Sequence, residues 1–125
     1  MVEEMIAHAR EEAPNECCGI VTGSDGLMSR LYRTRNAFAS PLRYEIDPSD
    51  LIRVYNESQE RGEEFLIIYH SHTSTVAEPS QTDINTASYP DSLYVIVSLQ
   101  DREQPDVKGF WIRDGVVEPE PLDVV

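Results

Sequence analysis

Phe65-Leu66-Ile67-Ile68-Tyr69-His70-Ser71-His72 is the stretch whose reading decides the fold. Five apolar residues without a break fit a strand buried on both faces, although a run this short does not by itself exclude helix. The strand reading also accounts for the polar residues beyond the run. Residues two apart on a strand share a face, so His70 and His72 project together at its end and Ser71 points away. Thr73 to Pro79 reads as a loop. Ser80 then opens a short helix running to about Tyr89, before Pro90, with Asp83 one turn in and able to swing back towards the histidines.

The spacing His-x-His-x(7)-Ser-x-x-Asp is joined by an upstream acid, Glu16, in Pro14-Asn15-Glu16-Cys17-Cys18-Gly19. Each part has an ordinary reading when taken singly. A histidine pair in a chain with three histidines is a weak signal. Ser80-x-x-Asp83 resembles a helix-capping pattern, and Glu16 alone would be a solvated loop acid. Together they are the components of a hydrolytic zinc site. His70, His72 and Asp83 are the candidate metal ligands, a donor set that suits Zn²⁺ and leaves a fourth position for water. Glu16 is the candidate general base, and the Ser80 hydroxyl the candidate oxyanion donor.

Other zinc or nucleophile arrangements fit less well. A deaminase needs His-x-Glu with separated cysteines, and no His-Glu-x-x-His helix is present. A Cys17–His70 nucleophile pair is conceivable, but it leaves the zinc ligands unexplained.

Around this centre the periodicity predicts the order α-β-β-α-β-α-β-β, a mixed sheet flanked by helices. Val2, Met5, Ile6, Ala9 and Ala13 recur at helical spacing over residues 2–12, with His8 towards the solvated side. Cys17 to Thr22 and Leu27 to Thr34 form a hairpin around Gly23-Ser24-Asp25-Gly26. Asp47 caps a helix with Pro48 in its first position, and Gly62 stops it. Ser92 to Leu99 and Lys108 to Arg113 are the last long strands, with Asp114-Gly115 as a turn.

The 125 residues are expected to form one domain, 1–125. A formal net charge of −13 disfavours nucleic acid and anionic membrane as partners. No signal peptide or membrane span is visible. With two adjacent cysteines, this points to a reducing cytoplasm. Cys18 reads as buried, Cys17 as either buried or half exposed.

The motif resembles that of the JAMM (MPN+) metallopeptidases. Ile68 to Thr73, Pro79-Ser80-x-Thr82-Asp83, Tyr94-Val95-x-Val97-Ser98 and Asp114-Gly115-x-Val117 resemble the actinobacterial Mec branch, and the similarity spans essentially the whole chain. The resemblance implies an α/β MPN (JAB1/MPN, cytidine deaminase-like) domain with one Zn²⁺ per chain. It also implies cleavage of a peptide or isopeptide bond at the C-terminus of a ubiquitin-like protein. In the Mec branch that partner is a sulfur-carrier protein ending in Gly-Gly, and cysteine is released during cysteine biosynthesis. The alternatives are a desampylase-like isopeptidase acting on protein conjugates and a non-catalytic MPN scaffold, although scaffolds typically lack the zinc ligands. One departure concerns the start. Family domains usually open with a short strand, whereas Met1 falls almost directly on the first helix, so either that edge strand is absent or the true start lies upstream; the metal site is untouched by the difference.

The basic residues are unevenly placed. Arg30, Arg33, Arg35 and Arg43 occupy a segment without acids. On a strand Arg33 and Arg35 would share a face, either as a solvated edge or as a docking patch for an acidic carrier protein.

Overall fold

The computed structural model describes residues 1–122. In chain order the elements are α1 (Val2–Glu12), β1 (Cys18–Ser24), β2 (Leu27–Thr34), α2 (Pro48–Glu60), β3 (Glu64–His72), α3 (Gln81–Thr86), β4 (Leu93–Ser98), β5 (Asp106–Arg113) and β6 (Val116–Glu120). The strands form one mixed sheet in the order β2-β1-β3-β4-β5-β6. The apolar run thus lies inside the sheet. β3 pairs antiparallel with β1 and parallel with β4.

The two faces of the sheet carry separate cores. On one, Met5 and Ala9 of α1 pack with Val21, Tyr69, Val95 and Val97. On the other, Val54 of α2 joins Ile20, Ile68, Tyr94, Ile96 and Phe110, with Ile84 of α3 packed against them. Alternation along β3 sends Ile68 to the α2 side and Tyr69 to the α1 side, which is why an unbroken apolar run was required.

Both predicted turns hold, and for the same reason. Asp25 and Gly26 lie at φ 53 and 76, Asp114 and Gly115 at φ 51 and 77. Two successive left-handed residues build the tight hairpin turn that Asp-Gly favours. The second turn leads into β6, a strand absent from the expected order. Its sequence contains Pro119, a residue confined to edge strands, and β6 is an edge.

Three other expectations need correction. The helix after Ser80 ends at Thr86 rather than near Tyr89. The Ser88 and Tyr89 amides donate to the Tyr94 hydroxyl at 3.1 and 3.0 Å instead of to helical carbonyls. His8 is buried rather than solvated, with its Nδ1 2.8 Å from the Tyr69 hydroxyl. Tyr69 reaches it by lying over Gly19, where a Cβ would come within 2.3 Å of the ring. Arg33 and Arg35 do not share a face. Arg33 pairs with Glu4 and Glu11 of α1, whereas Arg35 lies past the end of β2 and pairs with Asp47 and Asp50 at the start of α2.

Candidate metal centre

His70 and His72 stand at the end of β3, on the face that α3 covers. Both are buried, as is Asp83. The His70 and His72 Nε2 atoms are 3.2 Å apart, and they lie 3.1 and 2.9 Å from the same oxygen, Oδ2 of Asp83. Three ligand-type atoms from two elements thus converge on one point. A tetrahedral Zn²⁺ with bonds of about 2.0–2.1 Å spaces its ligands roughly 3.3 Å apart, so the triangle has the right size.

Hydrogen bonding explains why this cluster wants a cation. His72 Nδ1 is 2.9 Å from the Val76 carbonyl and must donate to it. In a neutral imidazole this leaves the Nε2 lone pair facing the Asp83 carboxylate. Two lone pairs at 2.9 Å repel unless a proton or a metal ion lies between them. The Val76 contact is also the outer support that metal-ligating histidines usually have.

Asp83 reaches the histidines because of how α3 begins. Ser80 is the N-cap: its Oγ accepts from the Asp83 amide at 3.1 Å, while the Ser80 amide donates to Asp83 Oδ2 at 2.9 Å. This reciprocal capping box leaves the carboxylate little rotational freedom. Burial alone would raise the Asp83 pKa, but the hydrogen bonds from His70 and His72 outweigh it and hold the carboxyl far below its usual range. The His70 pKa is lowered as well, in its case because burial disfavours the charged imidazolium.

Glu16 precedes β1, whose Cys18 pairs with His70. The register continues past the strand. The Ser71 amide donates to the Cys17 carbonyl at 3.1 Å, and the Cys17 amide donates to Ser71 Oγ at 2.8 Å. Glu16 is thereby brought alongside His72. It is buried, and its Oε1 has no hydrogen-bond partner among the described residues. Burial pushes its pKa up to about 8; the charge of His72 opposes the rise and that of Asp83 adds to it.

All five residues singled out from the sequence therefore gather in one place. Two further contributors carried no sequence signal. Tyr44, from the loop between β2 and α2, stacks on the His70 ring with centroids 4.3 Å apart and planes at 21°. Ser71, expected only to face away, bridges to Cys17. Burial pushes the Cys17 and Cys18 thiols up to about 12, so neither is a thiolate near neutral pH. Cys17 also packs in the α1-side core with Met5 and Tyr69, on the opposite face of the sheet from His70, which argues against the Cys–His alternative.

The fold and the cluster define an α/β domain of the JAB1/MPN class with a His-His-Asp group able to hold a metal ion. The chain belongs to the prokaryotic JAB family: residues 1–113 match the prokaryotic homologs of the JAB domain. The CysO-cysteine peptidase of Mycobacterium tuberculosis is 39% identical over all of this chain and 87% of its own length. A desampylase of Haloferax volcanii is 31% identical over 80% of this chain and 77% of its own. Among solved structures, a Desulfitobacterium hafniense protein superposes with a TM-score of 0.84 at 36% identity, covering 95% of this chain and 84% of its own. A JAB1/MPN domain protein from Archaeoglobus fulgidus, at 21% identity, shares the fold with a TM-score of 0.60, covering 99% and 93%. No helix of the described residues is long and apolar enough to cross a membrane.

Proposed function

We propose that this chain is a zinc-dependent peptidase that cleaves the bond following the C-terminal residue of a ubiquitin-like sulfur-carrier protein, releasing cysteine from a carrier–cysteine adduct. The observation that carries this reading is the convergence of His70, His72 and Asp83 on one point beside the buried, unpartnered Glu16. The similarity to the mycobacterial peptidase, across the whole chain, supports the choice of substrate.

Zn²⁺ held by His70, His72 and Asp83 would supply Lewis acidity towards the scissile carbonyl and make water a stronger acid. Glu16 accepts a proton from the attacking water and returns it to the leaving cysteine amine. Ser80 Oγ already accepts from the Asp83 amide, so its own proton is available to the oxyanion that develops on the carbonyl. His72, fixed by Val76, and Asp83, fixed by Ser80, keep their donor atoms aimed at one point throughout.

The test uses the zinc-loaded protein and a carrier whose Gly-Gly end bears cysteine. Intact-mass analysis should show conversion to the shorter carrier with release of free cysteine, and a chelator should stop it. Undiminished turnover in metal-free protein would sink the zinc reading. The Haloferax relative favours a second possibility, an isopeptidase of lysine-linked conjugates. Faster cleavage of such a conjugate than of the cysteine adduct would select it.

A further inference from the structure

Two groups of the centre lack the side-chain support such groups usually have. His70 Nδ1 is buried without a hydrogen-bond partner among the described residues, and so is Glu16 Oε1. A metal-ligating histidine normally donates its second N–H to a neighbour that fixes the ring. Here the His70 ring is fixed by the face of Tyr44. Glu16 is located through its backbone: its amide donates to the Ser40 carbonyl at 2.9 Å, and its carbonyl accepts from Asn36 Nδ2 at 3.1 Å.

Both supports lead to Asn36. Its Nδ2 also donates to the Arg43 carbonyl at 3.0 Å, and its Oδ1 accepts from the Phe38 and Glu45 amides at 3.0 and 3.2 Å. Four bonds use two donors and two acceptor sites, the full capacity of an Asn side chain. Reversing the amide would break all four, so its orientation is determined. Arg43 and Glu45 flank Tyr44, and the Asn36–Ile46 bridge with the Ala37 amide to Glu45 carbonyl bond closes the base of the loop. One amide thus ties the backbone of Glu16 to the residues on either side of the ring that covers His70.

We propose that Asn36 is a positioning residue of this centre, holding Glu16 and the Tyr44–His70 stack in a common register. The role rests on the zinc-peptidase reading but carries a separate consequence for metal affinity. Asn36→Asp keeps the shape but turns a carboxylate oxygen towards two carbonyls, and Asn36→Ala removes all four bonds.

The test compares full-length wild type with Asn36→Asp, Asn36→Ala and Tyr44→Leu. Zn²⁺ affinity is measured by competition with a chromophoric chelator, kcat and KM with the carrier adduct, and folding by circular dichroism. Loss of an outer support of a metal site typically costs about 10–100-fold in affinity or activity. Folded Asn36 variants should therefore lose roughly tenfold in Zn²⁺ affinity and roughly 10–100-fold in kcat, with KM within about twofold. Tyr44→Leu should reproduce the loss of affinity. Folded Asn36 variants with wild-type affinity and kcat would overturn the proposal, even if they melt earlier, because the residue would then be only a loop tether. If neither Asn36 variant folds, wild type still decides. Zn²⁺ loading should shift the Asn36 side-chain amide resonances and slow their exchange, and unchanged signals would overturn it. If wild type does not hydrolyse the adduct at all, the proposed function fails, and the affinity measurements alone decide the role of Asn36.

Discussion

The starts of α2 and α3 follow the same local rule and end in different chemistry. At α2, Asp47 caps the helix by accepting from the Ser49 and Asp50 amides. At α3, Ser80 does the same for Asp83. Each helix carries a buried aspartate three residues after its cap, Asp50 and Asp83, and each carboxylate is held below its usual pKa against the cost of burial. The neighbours differ. Asp50 accepts from the Arg35 amide at 2.8 Å and pairs with the guanidinium groups of Arg35 and Arg53, which carry permanent charge. Asp83 faces two imidazoles that are neutral unless protonated. A buried carboxylate balanced by arginine is complete; one balanced by neutral imidazoles has room for a divalent cation.

The sharpest way to break this contrast is to neutralise the two acids in parallel. Asp83→Asn should remove stoichiometric zinc and, with it, detectable hydrolysis. Asp50→Asn should leave both in place. Equal zinc content in the two variants would erase the distinction.

Glu16→Gln separates charge that binds from charge that reacts. The variant should keep zinc and fold yet lose on the order of 10²–10⁴ in rate, the range for general acid–base catalysis. An empty site in this variant would make Glu16 a ligand and not a base.

Ser80→Ala tests whether the α3 cap does more than the α2 cap. Zinc should be retained and kcat should fall by roughly 10²–10³, as for one oxyanion donor. A loss confined to helix stability, about 1 kcal/mol for a missing cap, would make Ser80 a cap and nothing more.

Asp50→Asn should itself cost about 1–2 kcal/mol of stability through weakened charge-assisted hydrogen bonds, measured by denaturant unfolding. A separate effect is one of pH on the metal-free protein. Glu16 binds its proton more tightly when folded, with a pKa raised to about 8 from an ordinary 4.5. Between those values the native state holds a proton that the unfolded state has lost, so this residue's contribution to stability falls as pH rises through the window. The Tm of metal-free Glu16→Gln relative to wild type should therefore grow from pH 5 to pH 8. A constant difference would place Glu16 in contact with solvent.

Much of the fold and the centre was legible in the sequence because it depends on short-range rules. An apolar run ending in His-x-His, an Asp-Gly pair at a turn and a Ser-x-x-Asp cap each act over a few residues. β6 went unread because a five-residue edge strand containing Pro119 carries little pattern of its own. The solvated placement of His8 failed because helical periodicity cannot register that Gly19, on a neighbouring strand, opens the space for the Tyr69 hydroxyl.

The sequence by itself determined the kinds of groups available and their local geometry: two imidazoles on one face of a strand, a carboxylate locked to its cap, and an acid in a segment leading into another strand. The tertiary structure decided what surrounds them. It set Arg35 beside Asp50 and left Asp83 to the histidines, buried Glu16 next to His72, and laid Tyr44 on His70 through a loop that Asn36 closes. Hydrogen-bond spacing along a chain is fixed by covalent geometry, and sequence therefore reports it. Burial and charge balance depend on groups far apart in sequence, which only the folded packing brings together.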